Sequence, residues 1–155
     1  LTEWLQALEA SAPAAALRAS FWIYPLVNAL HIAGLGALVT SVLVMDVQLL
    51  RRAADGAAAE RLLRPVAIAG LVVALLTGFA LFSVRPVDYA ANPAFRLKLV
   101  LLALALANAA IFLTTSRGAV AGSPVRRPLA LLCLGLSLLL WPAVLVAGRF
   151  IGFVE

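Results

Sequence analysis

Residues 65–84 read PVAIAGLVVALLTGFALFSV, twenty positions without a single charged side chain. At ~1.5 Å per residue, a helix of that length crosses the ~30 Å hydrocarbon core of a bilayer, and it satisfies its own backbone hydrogen bonds along the way. A soluble helix of this length would carry a charged face, and this stretch has none. It predicts a transmembrane helix, with Pro65 placed where a helix N-terminus tolerates a missing N–H.

The flanking sequence repeats the pattern. Upstream, the polar segment 51–64 (RRAADGAAAERLLR) carries Gly56 as a helix stop and separates this crossing from an earlier one over about 24–50, with Trp22 and Tyr24 as its interfacial aromatics. Downstream, residues 85–94 (RPVDYAANPA) hold two prolines, Asp88 and Asn92, which is turn chemistry, and Tyr89 adds another interfacial aromatic. A third crossing follows over about 95–115. The segment 116–128, with Gly118, Gly122, Pro124 and three arginines, leads to a fourth over about 129–151, which Trp141–Pro142 is expected to kink. Residues 2–19 carry Trp4, Leu5 and Leu8 beside Glu3, Gln6 and Glu9, and Pro13 ends or restarts the pattern. They suggest a short helix lying on the membrane surface.

The chain of 155 residues is 65% hydrophobic and only 12% charged, with a mean hydropathy of +1.08. The expected fold is all-α: one integral membrane domain over residues 1–155, a four-helix bundle with a short N-terminal interfacial helix. The first apolar run is too long for a signal h-region and is followed by Asp46 and Arg51–Arg52 rather than by a small-residue cleavage site, so it is expected to be a retained crossing. The linkers after the first and third crossings carry seven cations (Arg51, Arg52, Arg61, Arg64, Arg117, Arg126, Arg127), and the opposite side five (Arg18, Arg85, Arg96, Lys98, Arg149). That excess orients the linkers inward and both termini outward, periplasmic for a bacterial inner membrane.

The net charge of +5 sits at the ends of apolar segments, where it anchors helices at headgroups. The partner it implies is the lipid bilayer, not nucleic acid. The lone Cys133 excludes an internal disulfide and any multi-cysteine metal motif.

Polar residues inside a membrane are costly and ask for a reason. His31, the only histidine, lies about two turns into the first crossing, with Asn28 one turn earlier. A neutral imidazole can ligate a metal or haem iron or relay a proton, and its second nitrogen needs a partner from another helix. Gly34 and Gly36 remove bulk beside it, most simply for helix packing. In the expected topology the outer ends of the helices gather His31, Thr77 or Ser83, Arg85, Arg96, Lys98 and Arg149. An imidazole beneath cations suits a tetrapyrrole such as haem b, with the metal on His31 and the propionates among Lys98, Arg96, Arg85 and Arg149. Asp46 is expected to form an ion pair with Arg51, Arg64 or Arg117, or to act as a cap, and Asn108 to bond across helices. With one histidine a single chain offers no bis-histidine site, and Met45 lies ~21 Å along the same helix.

The stretch 28–50 (NALHIAGLGALVTSVLVMDVQLL) and the third-helix start 95–102 (FRLKLVLL) resemble the corresponding helices of an uncharacterised bacterial family of small four-helix inner-membrane proteins. More distantly they are similar to the copper-resistance D membrane domain and to HemJ-type protoporphyrinogen oxidase. The HemJ-type resemblance implies a haem-binding bundle in which a first-helix histidine and a third-helix lysine matter, which map to His31 and Lys98. The expectation is a His-centred site near the outer leaflet that binds haem or serves a redox or metal-related membrane complex, in a chain that acts as a homodimer or within a larger assembly. Two alternatives stand beside it: a non-catalytic accessory or anchor subunit, and a small transporter of metal ions or solutes, for which Asp46 and Asn108 are the inner-half polar residues.

Overall fold

The computed structural model describes residues 2–51, 56–120 and 126–154. Among them every regular element is a helix: α1 (Thr2–Glu9), α2 (Ala12–Ala19), α3 (Ile23–Leu50), α4 (Gly56–Val84), α5 (Pro86–Ala91), α6 (Pro93–Val120) and α7 (Arg126–Phe150). Four of these, α3, α4, α6 and α7, are long and apolar enough to cross a membrane. The protein is an all-α membrane helical bundle. Arg52 lies outside the described residues, as do the side chains of Arg117, Arg126 and Arg127, so the charge count of the linkers is only partly placed.

Element boundaries depart from the sequence reading where good helix formers override a local breaker. The second crossing belongs to a helix that begins at Gly56 and carries Pro65 in its interior. The segment 57–63 is rich in Ala, Leu, Glu and Arg and extends the helix upstream, leaving Pro65 to omit one backbone bond. The surface helix is two helices, not one: the chain breaks at Ser11, and Pro13 sits in the first turn of α2. Turn residues 86–91 coil into the single short helix α5.

Asn92 organises the next junction. Its Oδ1 accepts from the N–H groups of Ala94 (2.9 Å) and Phe95 (3.1 Å) and so caps α6. Its Nδ2 donates to the carbonyl of Val154 at 2.6 Å and of Ile151 at 3.3 Å, tying the C-terminal residues to the same end. Arg18 of α2 donates to the Val84 carbonyl at the end of α4 (2.8 Å) and to the Glu9 carbonyl (2.7 Å), which clamps α1 and α2 onto that end.

The spans form two tight hairpins, α3 with α4 and α6 with α7, which meet along α3 and α7. Their shared core is Leu38 and Val39 of α3, Ala67 of α4, Ala105 of α6 and Trp141 of α7. Helices α3 and α4 approach closely at Gly34 and Gly70. A methyl on Gly70 would lie 2.7 Å from both the Gly34 carbonyl oxygen and the Leu38 nitrogen. Only glycine lets the two backbones come that near, the small-residue logic of helix contacts in lipid. Gly36 faces open space instead. Of the most apolar stretch of α6 only 11% is buried, against 28% for the other three spans, so α6 is the most peripheral.

Candidate functional site

His31 projects from α3 into the contact with α4, half-buried. Its Nδ1 lies 3.0 Å from the hydroxyl of Thr77. That hydroxyl is 2.5 Å from the carbonyl of Val73, one turn earlier on α4. A threonine has one proton to give, and Thr77 spends it on Val73. The imidazole also hydrogen-bonds the Ala74 backbone; with the Thr77 proton spent on Val73, we assign the ring N–H to Nδ1, facing the Thr77 oxygen, and the lone pair to Nε2. Of the two hydroxyls considered, Thr77 is the partner: Ser83 returns its proton to the Ala80 carbonyl at 2.7 Å.

Gly78 makes room for the ring. A methyl there would sit 3.0 Å from the imidazole Cε1 and 3.4 Å from Nδ1. Gly34, Gly70 and Gly78 thus have related uses: the first two set the helix spacing, and the third admits the imidazole that bridges it.

Lys98 enters from α6 and is half-buried. Its Cδ, Cε and Nζ lie against Gly148 of α7, each 3.4 Å from where a methyl would stand. Its charge acts on His31, so the structure brings the two residues to the same end of the bundle. Among the described residues no carboxylate and no hydrogen-bond acceptor pairs with Lys98.

The other cations expected around the site each have local work. Arg96 donates through Nε to the Ala90 carbonyl at 2.7 Å, closing the turn into α6. Arg149 stacks over the Phe153 ring at 4.6 Å. Arg85 is exposed at the start of α5, where its charge faces Tyr89. Asn28 is exposed on the outside of α3, and its side chain forms no hydrogen bond among the described residues. His31 and Thr77, with Lys98 at the same end of the bundle, make up the candidate site, and among the described residues no contact joins Arg85, Arg96 or Arg149 to them.

Sequence reasoning missed an aromatic cover at this end. Phe82 and Phe95 stack with centroids 5.3 Å apart and planes 6° from parallel, and Tyr89 packs on both. Burial raises the Tyr89 phenol above its usual range, and a hydrogen bond with Tyr24 adds to this. Interfacial tyrosine placement was the only signal available, and it does not identify a partner.

Toward the other end, Asn108 donates from Nδ2 to the Cys133 carbonyl at 2.9 Å, a bond across α6 and α7 as expected. Asp46 does not form the expected ion pair with Arg64, because Arg64 pairs with Glu60 at 3.4 Å, one turn away on the same helix. Ser137 of α7 is the hydrogen-bonding neighbour of Asp46, and the side chain of Arg117, the other expected partner, lies outside the described residues. Among the described residues, no group of three or more His, Cys, Asp or Glu side chains converges to hold a metal.

Comparison with protein-family models, curated proteins and solved structures finds no match.

Proposed function

We propose that this is a bacterial inner-membrane protein with periplasmic termini whose outer end binds a ligand that accepts an electron pair from His31 and presents an acidic group to Lys98. A haem-type cofactor has both features. The observation that supports the reading is the pairing of an imidazole anchored through Nδ1 to Thr77 with a half-buried ammonium that has no counter-charge among the described residues. A metal-binding histidine is commonly held through its other nitrogen in this way, and an unpaired cation in a membrane helix favours an anionic partner.

In this reading His31 would hold the metal, Thr77 would orient the imidazole, and Lys98, helped by Arg85, Arg96 and Arg149, would receive the acid groups. Haem would supply one-electron redox chemistry, which suits a membrane redox complex. The protein's part is to fix the imidazole, neutralise the acid groups and shield the site beneath the Phe82, Tyr89 and Phe95 rings.

The test is a visible spectrum of the detergent-purified protein after haem titration. The reading expects a Soret band at saturable, near-stoichiometric haem in the wild type, its loss in His31→Ala, and weakened binding in Lys98→Met. A wild type that stays spectrally silent with added haem contradicts it.

The fit of the imidazole against Gly78 favours a second reading, in which His31 pins α3 to α4 in an anchor subunit. That reading expects stable copurification with a larger membrane complex and no spectral response to haem.

A further inference from the structure

A closed bundle of four spans packs each helix against two neighbours. Here the two hairpins bring their backbones together only along α3 and α7, and among the described residues α4 and α6, which would close the ring, do not approach each other. The bundle is therefore open to the bilayer along one side, as a cleft between α4 and α6 with α3 and α7 at its back. Toward the end opposite His31 this cleft deepens into a cavity of about 130 Å³.

The wall suits a hydrocarbon occupant. Met45 and Leu49 of α3, Phe112 of α6, and Leu134 and Trp141 of α7 supply much of its surface. The polar groups in the wall turn to the protein: Asn108 donates its amide nitrogen to the Cys133 carbonyl, Ser137 is the hydrogen-bonding neighbour of Asp46, and Asp46 Oδ2 is sealed inside. An apolar space of this kind stays dry, and its volume is close to the ~150 Å³ that admits a benzene ring. It accommodates a short run of methylenes, and in a membrane the methylenes at hand are those of acyl chains.

The rim adds a preference for charge. Arg64 stands at the cavity, exposed, with Glu60 3.4 Å away. Arg61, Arg64 and Glu60 also line an adjoining surface groove, and Arg61 is exposed with no ion-pair partner among the described residues. Two guanidiniums against one carboxylate leave one positive charge at the mouth. These residues directly precede the uncharged run 65–84, which puts them at headgroup depth. An anionic headgroup matches that position, because guanidinium pairs well with phosphate.

We propose that the cleft between α4 and α6 is a binding site for an anionic phospholipid, with one acyl chain in the cavity beside Phe112 and Trp141 and the headgroup on Arg61 and Arg64. The site lies at the other end of the bundle from His31 and does not depend on what binds there. Occupation fills the gap between the hairpins where the protein itself leaves them apart.

Trp141 reports on the cavity, since it is 3% exposed in the wall, whereas Trp4 and Trp22 are 59% and 72% exposed. In a Trp4→Phe, Trp22→Phe background the full chain is reconstituted into phosphatidylcholine bilayers. These carry increasing fractions of either phosphatidylglycerol or phosphatidylcholine with brominated acyl chains, which quench tryptophan emission at contact range. The expected result is saturable quenching of Trp141, with the half-effect reached at roughly fivefold less brominated phosphatidylglycerol than phosphatidylcholine, the preference that one cation contributes at headgroup depth. Arg61→Gln combined with Arg64→Gln is expected to abolish that preference, with helical circular dichroism retained. Ala109 also lines the cavity, and Ala109→Leu, which adds bulk there, is expected to reduce quenching by both lipids. Equal quenching by the two lipids, a preference that survives the double arginine variant, or quenching undiminished in Ala109→Leu overturns the assignment.

Discussion

Replacing Gly70 with alanine adds one methyl where two backbones already touch. The new carbon would stand 2.7 Å from the Gly34 oxygen and the Leu38 nitrogen and 3.2 Å from Leu38 Cα. None of these can rotate away, because all are main-chain atoms of a helix. Restoring ordinary contact at about 3.4 Å requires α4 to move off α3 by roughly 0.7 Å, a gap large enough to forfeit a quarter to a half of the dispersion attraction between the separated atoms. Overpacking of this kind costs about 1–3 kcal/mol, and a backbone-to-backbone clash places Gly70→Ala in the upper half of that range. The displacement also stretches the His31–Thr77 bond, since Thr77 is two turns along the same helix. Gly36→Ala and Gly135→Ala are the controls, because a methyl at either position meets nothing within 4 Å. Unfolding in mixed micelles with rising dodecyl sulfate, followed by far-ultraviolet circular dichroism, measures all three. A Gly70→Ala transition that coincides with that of Gly36→Ala refutes the close α3–α4 contact.

Asn92→Ala removes the cap of α6 and both bonds to the C-terminal carbonyls, so stability is expected to fall by about 1 kcal/mol or somewhat more, with faster proteolytic clipping after Phe150. Tyr89 is expected to ionise above the ordinary 10.0 of a free phenol. Because its folded value is raised, the associated stability is fully present below that pH and is lost as pH rises through the folded value. Following phenolate absorbance in wild type and Tyr24→Phe checks this, and the variant is expected to titrate earlier.

How much of this could be read from the sequence depends on whether lipid or neighbouring side chains decide the feature. The four crossings were legible because an uncharged run long enough to span hydrocarbon has few other uses, and Asn108 was legible as an inter-helix bond because an amide in such a run must find a partner. Helix rotation was not legible. α3 is apolar nearly all round, so nothing in its composition marks Gly34 as the face that meets Gly70 or distinguishes it from Gly36. The pairing of Asp46 depended on that rotation too: Arg64 has Glu60 one turn away on its own helix, and Asp46 has Ser137 of α7 beside it. His31 and Lys98 could be assigned to one end by counting residues from the helix starts. Which hydroxyl would hold the imidazole, and hence which nitrogen carries the proton, depended on the phase of α4 relative to α3.

The claim on which the functional reading depends is the proton position on the sole histidine. Nitrogen NMR of protein labelled only in histidine gives one imidazole to assign, free of overlap. The account predicts a protonated, pyrrole-type signal at Nδ1 and a bare, pyridine-type signal at Nε2 in the wild type, with the Nδ1 signal altered in Thr77→Val. A proton on Nε2, with Nδ1 bare, would contradict it.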